Sequence, residues 1–275
     1  MKSKKLISRT LLYLFLTLFA LLMVLPFVWM ITSSFKTMAE INMIPSTLLP
    51  KEPTFNNYTT VWDKVSFGRI FLNSVVLSIV KTAIILYTSA IVGYVISKVD
   101  FKYNKTVFLI VLCTMMIPWP VTIIPMYQEM SWFGWIGSYT SLIVPSLFSS
   151  FGIYMMKQFI DSIPNELLEA ARIDGATEYG IFHRIILGNI SSALSALGIF
   201  QFLWVWDDFL WPQLMLTDSS KYTLPLGLRS LTGQFFSDYG PILAGATISV
   251  IPVLIVYLIF QKQFVEGIAM SGMKG

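Results

Sequence analysis

Long apolar runs separated by short polar segments dominate this chain. A helical membrane span needs roughly 20 apolar residues, because about 30 Å of hydrocarbon is crossed at about 1.5 Å per residue. Six segments reach that length: Leu11–Ile31, Phe71–Ser97, Thr106–Met126, Tyr139–Ile160, Ser191–Leu210 and Pro241–Phe260. Backbone groups in lipid must bond to one another, and runs this long fit helices rather than barrel strands. The pattern predicts an all-α polytopic membrane protein with about six transmembrane helices. Basic residues precede the first run, as in a signal peptide. That run is too long for a signal core and no small-x-small cleavage site follows, so it reads as a retained span. Pro118, Pro120 and Pro125 in the third run and Pro252 in the sixth predict bent or broken helices.

Composition agrees. Of 275 residues, 55% are hydrophobic and 12% charged, against about 25% charged in a soluble domain. Mean hydropathy is +0.70. The net charge of +4 comes without any basic stripe, which argues against nucleic acid as a partner. Its use is topological, because Lys and Arg collect on the cytoplasmic side of spans. A cytoplasmic N-terminus puts Lys2, Lys4, Lys5, Arg9, Lys98, Lys102, Lys105, Lys157, Arg172, Arg184, Lys262 and Lys274 inside. The outside then receives Lys36, Lys51, Lys64, Arg69, Lys221 and Arg229. The bias places both termini in the cytoplasm, in a multi-pass protein of a cell membrane. Cys113 and His183 are each the single residue of their type, so intrachain disulfides and Cys- or His-cluster metal sites are not expected.

The largest external piece is Phe35–Arg69, broken by Pro45, Pro50 and Pro53, with a short helix expected around Asn56–Asp63. It is either a connector or a docking surface for an external partner.

The most informative stretch is Asp161–Asn189, DSIPNELLEAARIDGATEYGIFHRIILGN, which topology places in the cytoplasm. Pro164 suits the first turn of a helix, and Asp161 or Ser162 is a candidate cap. Good helix formers follow over Asn165–Ile173, with Leu167, Leu168 and Ala171 along one face. Asp174-Gly175 ends that helix, since Gly accepts the left-handed conformation. Tyr179, Phe182 and Ile186 then resume a helical face, giving a helix–turn–helix with an acidic side (Glu166, Glu169, Asp174, Glu178). Helices that lie on lipid usually present Lys and Arg. A net acidic one is better suited to a groove in another protein.

Glu169–Ala176, EAARIDGA, followed by Phe182 and Ile186, resembles the EAA loop of binding-protein-dependent ABC importer permeases. In that family the loop is the coupling helix that seats in a cleft of the cytoplasmic ATPase. The resemblance implies docking through Glu169, Ala170, Ala171, Asp174, Gly175, Ala176 and Phe182. The family usually continues with a proline-containing LPL-type stretch, where this chain has Leu187-Gly188-Asn189; Gly188 is left as the candidate bend into the fifth span.

Further stretches are similar to the carbohydrate subgroup, in particular the second permease of maltose-type systems. They are PFVWMITSSFK (Pro26–Lys36), FLNS (Phe71–Ser74), MIPWPVTIIPMY (Met116–Tyr127), WDDFLWPQLML (Trp206–Leu216), YTLPLGL (Tyr222–Leu228) and EGIAMSGMKG (Glu266–Gly275). The resemblance implies the type I permease architecture. Residues 1–69 would hold the first span and external loop. Residues 70–265 would form the core of five spans, with the coupling loop at 161–190, and residues 266–275 a cytoplasmic tail. In the subgroup the tail reaches into the ATPase dimer, which marks Gly272, Met273, Lys274 and Gly275. Implied partners are a second permease, a dimer of cytoplasmic ABC ATPases, an extracytoplasmic solute-binding protein and a carbohydrate. The implied location is the bacterial cytoplasmic membrane. ATP and Mg would be bound by the partner ATPase, with no cofactor held by this chain.

Residues for a substrate path follow from their cost in lipid. Lys81 lies within the second run, at a depth where a charge costs at least a few kcal/mol unless paired or wetted. It should face the bundle interior or a partner. Asp207 and Asp208 sit near the outer end of the fifth run beside Trp204, Trp206 and Trp211. Carboxylates among indole faces suit sugars, though an interfacial aromatic belt has the same composition.

No G-x-x-x-x-G-K-[ST] phosphate loop occurs, so hydrolysis of ATP by that route falls to another chain. No nucleophile–base constellation is evident either. The alternatives are an ion-coupled secondary transporter, which predicts repeats and midplane ionisable residues, and a non-transporting membrane scaffold.

Overall fold

The computed structural model describes the backbone of residues 2–233 and 237–272, and the side chains of residues 9–233 and 237–261. Helices account for the regular structure among these, apart from one isolated bridge between Thr232 and Ser237. In chain order they are α1 (Lys2–Ser33), α2 (Met38–Ile41), α3 (Asn56–Lys64), α4 (Phe67–Lys98), α5 (Asn104–Met115), α6 (Trp119–Trp132), α7 (Thr140–Ile143) and α8 (Ser150–Asp161). There follow α9 (Asn165–Ile173), α10 (Glu178–Ile181), a π-helical turn (Phe182–Ile186), α11 (Leu187–Asn189), α12 (Ser191–Trp206), α13 (Leu210–Met215), α14 (Leu224–Arg229) and α15 (Tyr239–Gly272).

Three of these are long and apolar enough to cross a membrane alone, over Arg9–Ser33, Phe67–Lys98 and Tyr239–Gln261. Two bent pairs pass the same test together: α5 with α6, turned by 102°, and Glu178–Asn189 with α12, turned by 77°. The third expected span, Thr106–Met126, is therefore not one rod. Pro118 takes an extended conformation (ψ 131°) ahead of α6. Pro118 and Pro120 have no N–H to give a continuing helix. The fourth, Tyr139–Ile160, is also interrupted: α7 gives way to a 3-10 turn at Val144–Ser146, and α8 starts afresh with the Ser149 side chain capping Gly152 N–H. Apolar composition alone does not register such breaks. By contrast α15 runs unbroken through Pro252.

The chain divides into two compact units, one of residues 1–68 with 227–251, the other of 69–226 with 252–275. In the first, no residue of the apolar window of α1 is buried. A helix apolar on every face and covered by none of the described residues is a helix for lipid or a partner. The loop after α1 is ordered by polar contacts. Buried Lys36 donates to Ser33 Oγ (3.1 Å) and to the Thr47 carbonyl, and Asn57 Nδ2 donates to the carbonyls of Ser34 and Lys36, both at 2.8 Å. Phe35 packs on Phe55 and Tyr58 at 5.4 and 5.1 Å.

Among the described residues the second unit holds two apolar cores. One gathers Ala90 and Tyr94 of α4, Met156 and Ile160 of α8, Leu168 of α9, and Phe182, Ile186, Ile190 and Leu197 further along. The other gathers Leu77, Met130, Leu142, Trp211, Met215 and Leu226. Helices α4 and α8 approach closely through two glycines. A Cβ on Gly93 would lie 3.0 Å from the Lys157 backbone N, and one on Gly152 would overlap Ser89 Oγ. Small residues that let backbones meet are a common basis of helix packing in membranes.

Candidate functional site

Helix α9 forms over the expected residues, Asn165–Ile173. Pro164 precedes it with φ −59° and ψ 136°, and its missing N–H leaves nothing unsatisfied there. The expected caps do not act: Asp161 ends α8 and Ser162 is the C-cap of α8. Glu166 in the first turn and Arg172 in the last complement the helix dipole. The end is a Schellman arrangement, with Gly175 N–H donating to Arg172 O (3.0 Å) and Ala176 N–H to Ala171 O (2.9 Å). Gly175 has φ 83°, and nothing lies within 4 Å of where its Cβ would be. Thr177 then caps α10, accepting from Gly180 N–H at 3.2 Å.

Helix α9 stands on Leu168, which is buried in the first core beside Met156 and Tyr94. Glu169, Ala170, Asp174, Gly175 and Ala176 are exposed, and Ala171 is half-buried. Phe182 differs from these, for it is buried in the core and edge-on to Tyr87 at 6.0 Å. It packs beneath the turn instead of standing on the exposed surface. Tyr179, expected on one helical face with Phe182 and Ile186, is exposed, as are Leu167 and Ile173. Ile173 is 86% exposed next to Gly175, an apolar contribution to this surface that helical periodicity did not single out.

The segment from Asp161 to Glu178 is tied to α4 by polar contacts. Glu178 accepts from Arg172 Nε at 2.7 Å and from the hydroxyl of buried Tyr94. The Arg172 guanidinium, and then Tyr94, hold the Glu178 carboxyl below its ordinary range. Lys98, at the end of α4, donates to Ile163 O (2.6 Å) and Asn165 Oδ1 (2.9 Å), and Ser97 Oγ donates to Asp161 Oδ1 (2.6 Å). A displacement of α9 therefore pulls on α4 at two places.

A second feature lies in the same unit. A cavity of 760 Å³ is lined by Lys81, Trp119, Met126, Trp204, Asp208 and Trp211, with Leu142, Pro145 and Ser146 completing the wall. Lys81 is 7% exposed. Four of the five residues expected on a path thus share one wall. Asp207 does not; it is exposed and outside the cavity. Trp211 is buried and donates from Nε1 to Ser141 O at 2.9 Å. Asp208 Oδ1 accepts from Trp211 N–H at 3.4 Å. Trp119 was not expected here. The break between α5 and α6 brings it in, and the prolines on either side of it were the available signal.

Of the four tail residues, Gly272 ends α15, while Met273, Lys274 and Gly275 lie outside the described residues.

Residues 86–269 match the family described as binding-protein-dependent transport system inner membrane component. The chain is 34% identical over 272 residues to an arabinooligosaccharides transport system permease protein, AraQ, of Bacillus subtilis, covering 98% of this chain and 97% of that one. It is 29% identical to the lactose transport system permease protein LacG of Rhizobium radiobacter, over 93% of each chain. It shares its fold with a chain of a bacterial ABC transporter that imports the acidic polysaccharide alginate: TM-score 0.82 and 23% identity, covering 94% of this chain and 96% of that chain. This chain belongs to the family of binding-protein-dependent transport system inner membrane components.

Proposed function

We propose that the chain, as such an inner membrane component, is one of two permease subunits of an ATP-driven importer for a sugar or oligosaccharide. The carrying observation is the exposed acidic helix α9 with its Gly175 turn, set on a packed base and polar-linked to α4. The permease names of the relatives, arabinooligosaccharides and lactose among them, support the substrate class. The chain is a transport subunit. ATP hydrolysis, with its Mg, belongs to a pair of cytoplasmic ABC ATPases, and delivery belongs to an extracytoplasmic solute-binding protein. The likeness to a chain solved with a sugar-loaded periplasmic protein, at 18% identity and TM-score 0.66, supports the fold such a partner would meet.

Glu169, Ala170, Ala171, Asp174, Gly175 and Ala176 form the ATPase-docking surface, with Phe182 beneath them. Gly272–Gly275 form a second contact with the ATPase dimer. Residues 70–265 are the core, with both termini in the cytoplasm. Closure of the ATPase dimer moves α9, and the spans follow as a rigid body, opening the path to alternate sides. Lys81, Trp204, Asp208 and Trp211 line this chain's half of the path, and Asp207 stands at its outer rim.

Uptake of radiolabelled oligosaccharide by cells carrying or lacking this chain tests the assignment. Uptake should need this chain, stop when cellular ATP is depleted, and survive collapse of the proton gradient while ATP is held constant. Uptake that survives ATP depletion and fails without the proton gradient would instead make the chain a secondary transporter.

A further inference from the structure

The cavity in the second unit has a chemistry that a structural void lacks. Lys81 is buried in the wall of α4, yet among the described residues it makes no hydrogen bond and no ion pair. Asp208 lines the same cavity, and among the described residues no ion pair joins the two. A buried ammonium with its partner held at a distance is expensive unless something polar fills the gap. The gap opens into 760 Å³, within the range of small-molecule sites. Its other walls are largely apolar, including the indoles of Trp119, Trp204 and Trp211. Two of the groups are fixed in place, for Trp211 is anchored on Ser141 O and itself donates to Asp208. Water would solvate the two charges, and the three indoles add flat apolar faces beside them. Nearby on α4, the buried hydroxyls of Ser78 and Thr82 also have no hydrogen-bond partner among the described residues, so this part of the helix is polar beyond what its packing uses.

Resting on the permease assignment above, we propose that this chain itself contacts the transported molecule, and that the cavity is a subsite for a neutral sugar ring. The Lys81 ammonium donates to one hydroxyl, and the Asp208 carboxylate accepts from another. The indoles stack on the C–H faces between them. One positive and one negative pole select a ligand that both accepts and donates and carries no net charge. A uronate would gain at Lys81 and be repelled at Asp208. Because the poles stand apart on α4 and on the turn between α12 and α13, a shift of either element changes their spacing. The subsite can therefore bind in one state and release in the other.

The test uses the complete transporter in proteoliposomes, with its binding protein. Neutral arabino-, chito- and malto-oligosaccharides serve as probes, and oligogalacturonate as the acidic counterpart. Lys81→Met and Asp208→Asn should each lower transport of a neutral probe about tenfold or more. ATP hydrolysis stimulated by the loaded binding protein should stay within about twofold, because the docking surfaces are untouched. In a Cys113→Ser background, which removes the one exposed free cysteine, Lys81→Cys should lose transport. It should regain transport when an aminoethyl thiosulfonate restores the ammonium, and not with the sulfonatoethyl reagent. Unchanged transport in both variants overturns the subsite. So does a parallel loss of transport and ATP hydrolysis, which makes Lys81 structural. Transport of oligogalacturonate in preference to the neutral probes overturns the neutral class. An assembled complex that hydrolyses ATP but carries none of the probes overturns the sugar assignment on which the subsite rests.

Discussion

Tyr94 and Glu178 meet through a hydrogen bond although 84 residues separate them in sequence. The bond joins α4, which also carries Lys81 about 20 Å further along the same helix, to the turn that follows α9. Arg172 of α9 completes the link by donating to the same carboxylate at 2.7 Å. Helix α4 is continuous from Phe67 to Lys98, so motion entering at Tyr94 reaches the wall of the cavity without a hinge. Within this unit α9, the proposed coupling helix, and the cavity therefore share one continuous element.

Glu178→Gln should uncouple this link without unfolding the chain. It replaces a charged acceptor by a neutral one at an exposed site, weakening the bonds from Arg172 and Tyr94. Transport should fall by about three- to tenfold with the complex still assembled. Transport rate and ATPase recovery, measured on the same purified sample, check this. Transport at the wild-type rate would remove Glu178 from the transmission route.

The same carboxylate makes a pH prediction. Its folded pKa lies below the ordinary 4.5, chiefly because Arg172 bonds to it. A depressed acid contributes stability that is complete above its unfolded value and is lost as pH falls through the folded one. Amide exchange over Thr177–Phe182 should thus show no change from this group between neutral pH and about pH 5. Below that range, protection should drop. In Glu178→Gln the acid-dependent step should be absent; its persistence would assign it to another group.

Two glycines separate packing from conformation. Gly152→Val would force atoms into Ser89 and towards Leu197, whereas nothing lies near Gly188. Overpacking should destabilise the first by about 1–3 kcal/mol. Gly188→Ala should stay within about 0.5 kcal/mol of wild type. Thermal unfolding of both variants in detergent tests this. Equal losses would mean that Gly188 is needed for the bend into α12.

Gly175→Ala isolates backbone strain, because no side chain waits to clash. At φ 83° an L-residue costs about 1–2 kcal/mol. The end of α9 should fray, measured as faster exchange at the amides of Gly175 and Ala176, which close the Schellman turn. Unchanged exchange would mean the turn tolerates a Cβ.

The local chemistry of α9 and its glycine turn was legible in the sequence. Pro164 and Gly175 set the two ends of α9 through their own backbone constraints, so its bounds follow from nearby residues. Its exposed acidic face followed too. The span breaks were less so. A window over Thr106–Met126 registers apolar residues, but Pro118 and Pro120 act together at one turn, and the chain there turns by 102°. The Arg172–Glu178–Tyr94 link was not legible. Glu178 reads as one more acidic surface residue until α4 is folded against it. Lys81, Trp204, Asp208 and Trp211 were each marked by their cost or company in lipid. Their meeting in one cavity depends on packing between α4 and the α12–α13 turn, and the same packing leaves Asp207 outside.

The most direct measurement is affinity purification of the tagged chain in mild detergent, wild type beside Gly175→Arg, with every co-purifying chain identified. The substitution adds bulk and charge at an exposed position with open space around it, so the spans should remain folded, and Gly175→Ala, which carries the same backbone strain without the charge, is its control. Wild type should bring down a phosphate-loop ATPase and a second polytopic permease. The variant should keep the permease and lose the ATPase. Wild type that brings down neither, or a variant that keeps the ATPase in full, would contradict the assignment of α9 and its glycine turn as the docking site.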